Sequence, residues 1–171
     1  MNTPIRVLIV EDSPDDATLL LLELEGGGYD PIYARFDTAT AMQTALAKQP
    51  WDIIIADYSM PHFSALAALQ LLQDSALDLP FIIVSGAIGE DTGVAAMKPG
   101  AHDYLMKDNL TRLVAAVEGE LREARVEGWK ELAYLHPEAR APRRIDTSSL
   151  LSPFDPVVRD RPRAARLFGF D

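Results

Sequence analysis

The 171-residue sequence predicts an α/β fold: a (βα)5 doubly wound, five-stranded parallel sheet followed by a C-terminal appendage. Three observations predict it. Short apolar runs alternate five times with segments of helical spacing, the pattern of a parallel sheet wrapped by helices on both faces. The runs are apolar throughout, as in Ile53-Ile54-Ile55, so they read as strands covered on both sides. The runs also end in polar chemistry. Glu11-Asp12 follows the first, Asp57 the third, Ser85-Gly86 the fourth and Lys107 the fifth.

The first strand is Ile5–Val10. Ser13 then supplies an N-cap, Pro14 suits the first helical position, and Asp15 and Asp16 complement the positive helix start. A leucine-rich helix runs to about Glu25, where Gly26-Gly27-Gly28 ends it. The second strand is short, near Ile32–Arg35. The helix Thr38–Lys48 sets Ala41, Ala45 and Leu46 on one side, and Pro50 closes it. The third strand, Asp52–Ala56, delivers Asp57 and is stopped by Pro61.

A third helix, Ser64–Asp74, buries Leu66, Leu69 and Leu72. The fourth strand, Phe81–Val84, follows Pro80. Glu90–Met97 is a weak fourth helix, limited by Gly93 and Pro99, and Ile88–Gly93 is glycine-rich for a helical stretch. Gly100 allows a turn into the fifth strand, Asp103–Met106. The fifth helix, Asn109 to about Arg125, carries Leu110, Leu113, Val114, Val117 and Leu121 at helical spacing. Gly128 can end it, and Trp129–Leu135 can prolong it.

Composition divides the chain into a compact unit, 1–127, and an extension, 128–171. The first 136 residues hold 21 acidic and 9 basic side chains, net −12; from Pro137 on there are 5 and 7, net +2, with five of the twelve prolines. The overall charge of −10 argues against a general nucleic-acid surface. Without cysteine there is no disulfide framework and no thiolate metal site. No basic leader and no apolar run of about 18 residues is seen, so the expectation is a soluble, cytoplasmic protein with no membrane partner.

Doubly wound sheets hold ligands at the carboxyl ends of their strands, where the strand order reverses. Alternation alone does not fix the order. The order 2-1-3-4-5 fits the residues, because its reversal lies between the strands ending in Glu11-Asp12 and Asp57. Carboxylates about 4 Å apart repel by roughly 4 kcal/mol per pair at a surface-like dielectric, so three of them call for a cation. Their hard oxygens, with no cysteine nearby, favour Mg²⁺. Mg²⁺ also holds phosphoryl oxygens, and phosphoryl transfer needs chiefly positioning and charge neutralisation. Asp57 can accept the phosphoryl group, Lys107 can supply a point charge and Ser85 a hydroxyl donor.

Singly, each residue has an ordinary explanation. Asp12 can cap a helix, Asp57 can be a turn acid, Lys107 a surface lysine and Ser85 part of a glycine turn. His62 and His102 lack metal-ligand spacing and read as surface residues.

Taken together, Glu11-Asp12, Asp57 with Met60-Pro61, Ser85-Gly86, and Gly100-Ala101-His102-Asp103-Tyr104-Leu105-Met106-Lys107 resemble the receiver domain of bacterial two-component response regulators. The match runs from about Ile5 to Arg125 and implies a flavodoxin-like fold. The resemblance implies that Asp57 is phosphorylated by a phosphohistidine on a sensor kinase or a phosphotransfer protein. It implies Mg²⁺ held by Glu11, Asp12, Asp57 and the Ser59 carbonyl, with Ser85 and Lys107 on the phosphoryl group. It assigns Tyr104 as the aromatic that follows Ser85 inward. That switch would alter the face of the fourth helix, fifth strand and fifth helix, a face that also allows a homodimer. Asp108 stands where the family usually has proline.

Three rivals are weighed, two of them on the compact unit. A scaffold of this fold without phosphorylation would not require the intact acids, Ser85 and Lys107. A phosphohydrolase with an aspartyl nucleophile would want an acid where Ser59 stands. No enzyme activity is therefore expected beyond accepting and losing the phosphoryl group.

Finally, Ala133-Tyr134-Leu135-His136-Pro137, Ser148–Pro156 through Asp160-Arg161, and Arg166–Asp171 look like an internal piece of winged-helix proteins related to DNA crosslink-repair glycosylases. That likeness includes no winged helix and no catalytic motif. It therefore carries over no functional residue and no glycosylase activity; a DNA-binding or repair protein is a third rival that rests on this stretch alone, and no nucleic-acid partner is expected.

Overall fold

The computed structural model describes residues 1–86 and 99–135, with side chains through 127. The predicted fourth helix, Glu90–Met97, the Ile88–Gly93 stretch and the tail from Pro137 lie outside the described residues. The described chain runs β1 (Thr3–Val10), α1 (Pro14–Gly26), β2 (Tyr29–Phe36), α2 (Ala39–Lys48), β3 (Ile53–Asp57), α3 (Ala65–Asp74), β4 (Phe81–Ser85), β5 (Asp103–Met106), a 3-10 turn (Lys107–Arg112) and α4 (Leu113–Leu135). The helix named α4 is thus the fifth of the sequence reading.

All pairings are parallel and the order is β2-β1-β3-β4-β5. β3 and β4 are buried along their whole length. Their alternate residues feed two cores. Leu8, Val10, Ile54, Ala56, Phe81 and Ile83 pack against α2 and α3 through Met42, Ala45, Leu46, Ala65, Ala68, Leu69 and Leu72. Ile5, Val7, Ile9, Ile53, Ile55, Ile82 and Val84 pack on the other face, against α1 and α4 through Ala17, Leu20, Leu21, Leu24, Leu113 and Val117. Two covered faces explain why the strands read as unbroken apolar runs.

Ser13 caps α1 as expected, and Thr38 and Ser64, read as the first residues of their helices, cap α2 and α3: each of the three accepts a backbone N–H three residues on. Gly100 adopts φ +111, the left-handed turn that admits β5. Several expectations need correction. β2 spans eight residues, because it pairs with β1 from Thr3↔Tyr29 to Val10↔Phe36. Its Pro31 is tolerated on an edge strand, where a missing donor costs no ladder bond. In α3 the inward stripe is Ala65, Ala68, Leu69 and Leu72, leaving Leu66 half-buried. In α2 the buried residues are Met42, Ala45 and Leu46, and Ala41 is half-buried. Asn109, at φ −130 and ψ 52, breaks helical geometry, so the last α-helix starts at Leu113. It then continues through Gly128 to Leu135.

Candidate functional site

β1 and β3 lie side by side, with Val10 opposite Ala56, so the residues that follow them emerge together. Glu11, Asp12 and Asp57 offer carboxylate oxygens that all lie within 4.8 Å of one another. Glu11 is 1 % and Asp57 5 % exposed, whereas Asp12 is open to solvent. Two local bonds aim the buried acids. The Ser13 N–H donates to Glu11 Oε1 at 3.0 Å, and the Ser59 N–H donates to Asp57 Oδ1 at 3.3 Å.

β4 and β5 bring the other two groups. Asp57 faces Val84 in register, and Ser85, the next residue, faces Met106. Ser85 is fully buried at the strand end between Asp57 and Lys107. The Lys107 stem passes Gly86, where an added Cβ would lie 3.8 Å from Lys107 Cδ. Its ammonium then meets three carboxylates: Asp16 Oδ2 at 2.5 Å, Glu11 Oε2 at 2.8 Å and Asp57 Oδ2 at 3.2 Å. The structure thus brings Glu11, Asp12 and Asp57 together and sets Lys107 against Glu11 and Asp57. With Asp108 in place of proline, Lys107 still reaches the acids.

Burial, more than anything else, raises the Glu11 pKa to about 6. The hydrogen bonds from Lys107 and Ser13 oppose that shift, and the charge of Asp57 adds to it. Burial alone would lower the Lys107 pKa, but its bonds to Asp16 and Glu11 outweigh this and raise it above the ordinary lysine value. Three acids whose carboxylate oxygens lie within 4.8 Å of one another fit a divalent cation that prefers hard oxygens.

Tyr104 faces Ile83 in register and packs against the core under α2 and α3. Its hydroxyl is buried with no hydrogen-bond partner among the described residues. His102 is exposed as expected, yet its Nδ1 accepts the Phe81 N–H at 3.1 Å and ties the start of β4 to β5.

Two residues of the site were missed. Asp16 was read only as a helix-start acid, and it is a direct partner of Lys107. Arg35, on β2, donates from Nη1 to the Glu11 carbonyl at 2.8 Å and the Asp12 carbonyl at 3.3 Å, pinning the acidic loop. A cation three residues before a predicted helix carried no signal for that contact.

A parallel sheet in this order, with an acidic cluster and a lysine at its carboxyl edge, defines a receiver-type signalling fold. Residues 7–118 match the model of the response regulator receiver domain, and the chain belongs to that family. Residues 94–171 separately match the model described as DNA glycosylase AlkZ-like, so the two matches overlap through β5 and the start of α4.

Among curated proteins, the phosphate regulon transcriptional regulatory protein PhoB of Klebsiella pneumoniae is 30 % identical over 122 residues, covering 68 % of this chain and 52 % of that protein. The transcriptional regulatory protein PrrA of Mycobacterium tuberculosis is 33 % identical over 118 residues, covering 68 % and 50 %. The chain therefore spans about half the length of these relatives. Among solved structures, the signal receiver domain of a putative LuxO repressor from Vibrio parahaemolyticus is 27 % identical with a TM-score of 0.65, covering 75 % of this chain and 98 % of that one. The beryllofluoride-activated NtrC4 receiver domain dimer is 25 % identical with a TM-score of 0.60, covering 69 % and 97 %. Among the described residues, no helix is long and apolar enough to cross a membrane.

Proposed function

We propose that residues 1–127 form a phosphoacceptor unit of a two-component phosphorelay and that Asp57 is its acceptor. One observation carries this reading: the buried Asp57 carboxylate shares a 4.8 Å cluster with Glu11 and Asp12 while Lys107 Nζ stands 3.2 Å from it. An Asp57 carboxylate oxygen attacks the phosphorus of a phosphohistidine. The new P–O bond forms as the P–N bond breaks, and the electron pair returns to the imidazole nitrogen, which takes a proton from water. Glu11, Asp12, Asp57 and the Ser59 carbonyl would hold Mg²⁺, which when bound would supply charge neutralisation to the phosphoryl oxygens. Lys107 and Ser85 donate to those oxygens.

The donor is a sensor histidine kinase or a histidine phosphotransfer protein. The output is a protein contact made in the cytoplasm, and no separate substrate is turned over. Tyr104 serves as the switch. Its hydroxyl, buried without a hydrogen-bond partner among the described residues, supports that role. The altered face is that of β5 and α4, which also serves as a homodimer contact. Incubation with Mg²⁺ and acetyl phosphate should add one phosphoryl group by intact mass, and Asp57→Asn should abolish it. Equal labelling of that variant would refute the assignment.

A second reading rests on the glycosylase-like match of residues 94–171: the extension, 128–171, meets DNA. The net charge of −10 weighs against it. Absence of a gel shift with duplex DNA at low salt would remove it.

A further inference from the structure

The sharpest unexplained contact in the site is that of Asp16. A Ser N-cap with an acid three residues on ordinarily closes a reciprocal box, in which the acid takes the N–H of the cap residue. Here Glu11 Oε1 already takes the Ser13 N–H, at 3.0 Å. The Ser13 hydroxyl still accepts the Asp16 N–H, at 3.3 Å, which fixes the Asp16 backbone in the first turn of α1. The Asp16 carboxylate is thereby left for another partner, and that partner is Lys107 Nζ at 2.5 Å.

An ammonium has three N–H donors. Those of Lys107 face three carboxylates, Glu11, Asp16 and Asp57, at 2.8, 2.5 and 3.2 Å. A phosphoryl oxygen on Asp57 must therefore displace one of them. Asp57 is the longest contact and the one that changes chemically, while Asp16, at the shortest distance and 38 % exposed, draws the ammonium toward α1.

We propose that Asp16 is a positioning residue that holds Lys107 back from the phosphoryl site and so weakens the phosphorylated state relative to the free one. The inference rests on the proposed phosphoacceptor role of Asp57. Its measure is the affinity for beryllofluoride, a phosphoryl mimic, in the presence of Mg²⁺. Asp16→Asn should bind it about fivefold more tightly, the factor equivalent to about 1 kcal/mol for a partly exposed ion pair. Asp16→Glu should return affinity toward wild type.

Loss of a negative charge near an anion site would tighten binding by itself, so the same substitution is made on Lys107→Ala. If Asp16 acts through Lys107, Asp16→Asn should tighten binding much less there, by the bare charge effect alone. Equal tightening in both backgrounds, or weaker binding by Asp16→Asn alone, overturns the proposal. A wild-type protein that takes neither beryllofluoride nor a phosphoryl group overturns the phosphoacceptor reading and this inference with it. A wild-type protein that takes both, with Asp16→Asn indistinguishable, overturns this inference alone.

Discussion

Glu11→Gln in the metal-free protein isolates the energetic cost of the acidic cluster. Burial raises the Glu11 pKa from 4.5 to about 6, so the folded state holds that proton more tightly than the unfolded chain. The sign is opposite to that of an ordinary paired carboxylate. Protonated Glu11 stabilises the fold fully below about pH 4.5, and that stability is lost as pH rises through about 6. At about 1.36 kcal/mol per pKa unit, the full loss is about 2 kcal/mol. The sequence pI of about 4.7 makes the lower end prone to precipitation, so the practical window opens higher. Between about pH 5.2 and about pH 7.5, linkage leaves roughly 1 kcal/mol of that loss. Glutamine does not titrate, so the stability difference, variant minus wild type, should become more positive by that amount across the window. Urea unfolding in the presence of a chelator measures it. A difference that stays flat, or that moves the other way, would show that Glu11 ionises as easily in the fold as outside it. Added Mg²⁺ should move the difference back in favour of wild type, because wild type gains about 1.4 kcal/mol at ten times the Kd and the variant gains less.

Two further outcomes are expected. Lys107→Ala should retain Mg²⁺, since its amine is not a metal ligand, but should bind beryllofluoride more weakly without losing it; a collapse of Mg²⁺ affinity in titration calorimetry would contradict the role given to it. Gly27→Ala should destabilise by about 1–3 kcal/mol in urea, because its Cβ would lie 2.4 Å from Val114 Cγ2 on a stiff β-branched side chain. Val114→Ala should then recover most of that loss, and an additive double variant would mean the two helices do not approach there.

The glycosylase-like match begins at residue 94, inside the receiver match that ends at 118, and α4 runs without a break from Leu113 to Leu135. The expected division at residue 127 therefore falls within a continuous helix, and Gly128 does not interrupt it. A single glycine in a helix costs only about 1 kcal/mol relative to alanine, too little to outweigh neighbouring turns.

Local chemistry alone was enough to read the alternation of strands and helices and the positions of the acids. Ile53–Ile55 has no polar face, Ser13, Thr38 and Ser64 can serve as caps, and a carboxylate after a buried strand has to emerge at its end. Those signals span a few residues, and short-range sterics and hydrogen bonding dictate them. The partners of each charge were another matter. That Lys107 reaches Asp16 across 91 positions, that Arg35 grips the carbonyls after β1, and that Glu11 rather than Asp12 is the acid taken out of water all depend on how the sheet is ordered and twisted. Such contacts arise only when distant segments are stacked, and neither spacing nor composition encodes which of several nearby acids an ammonium will choose.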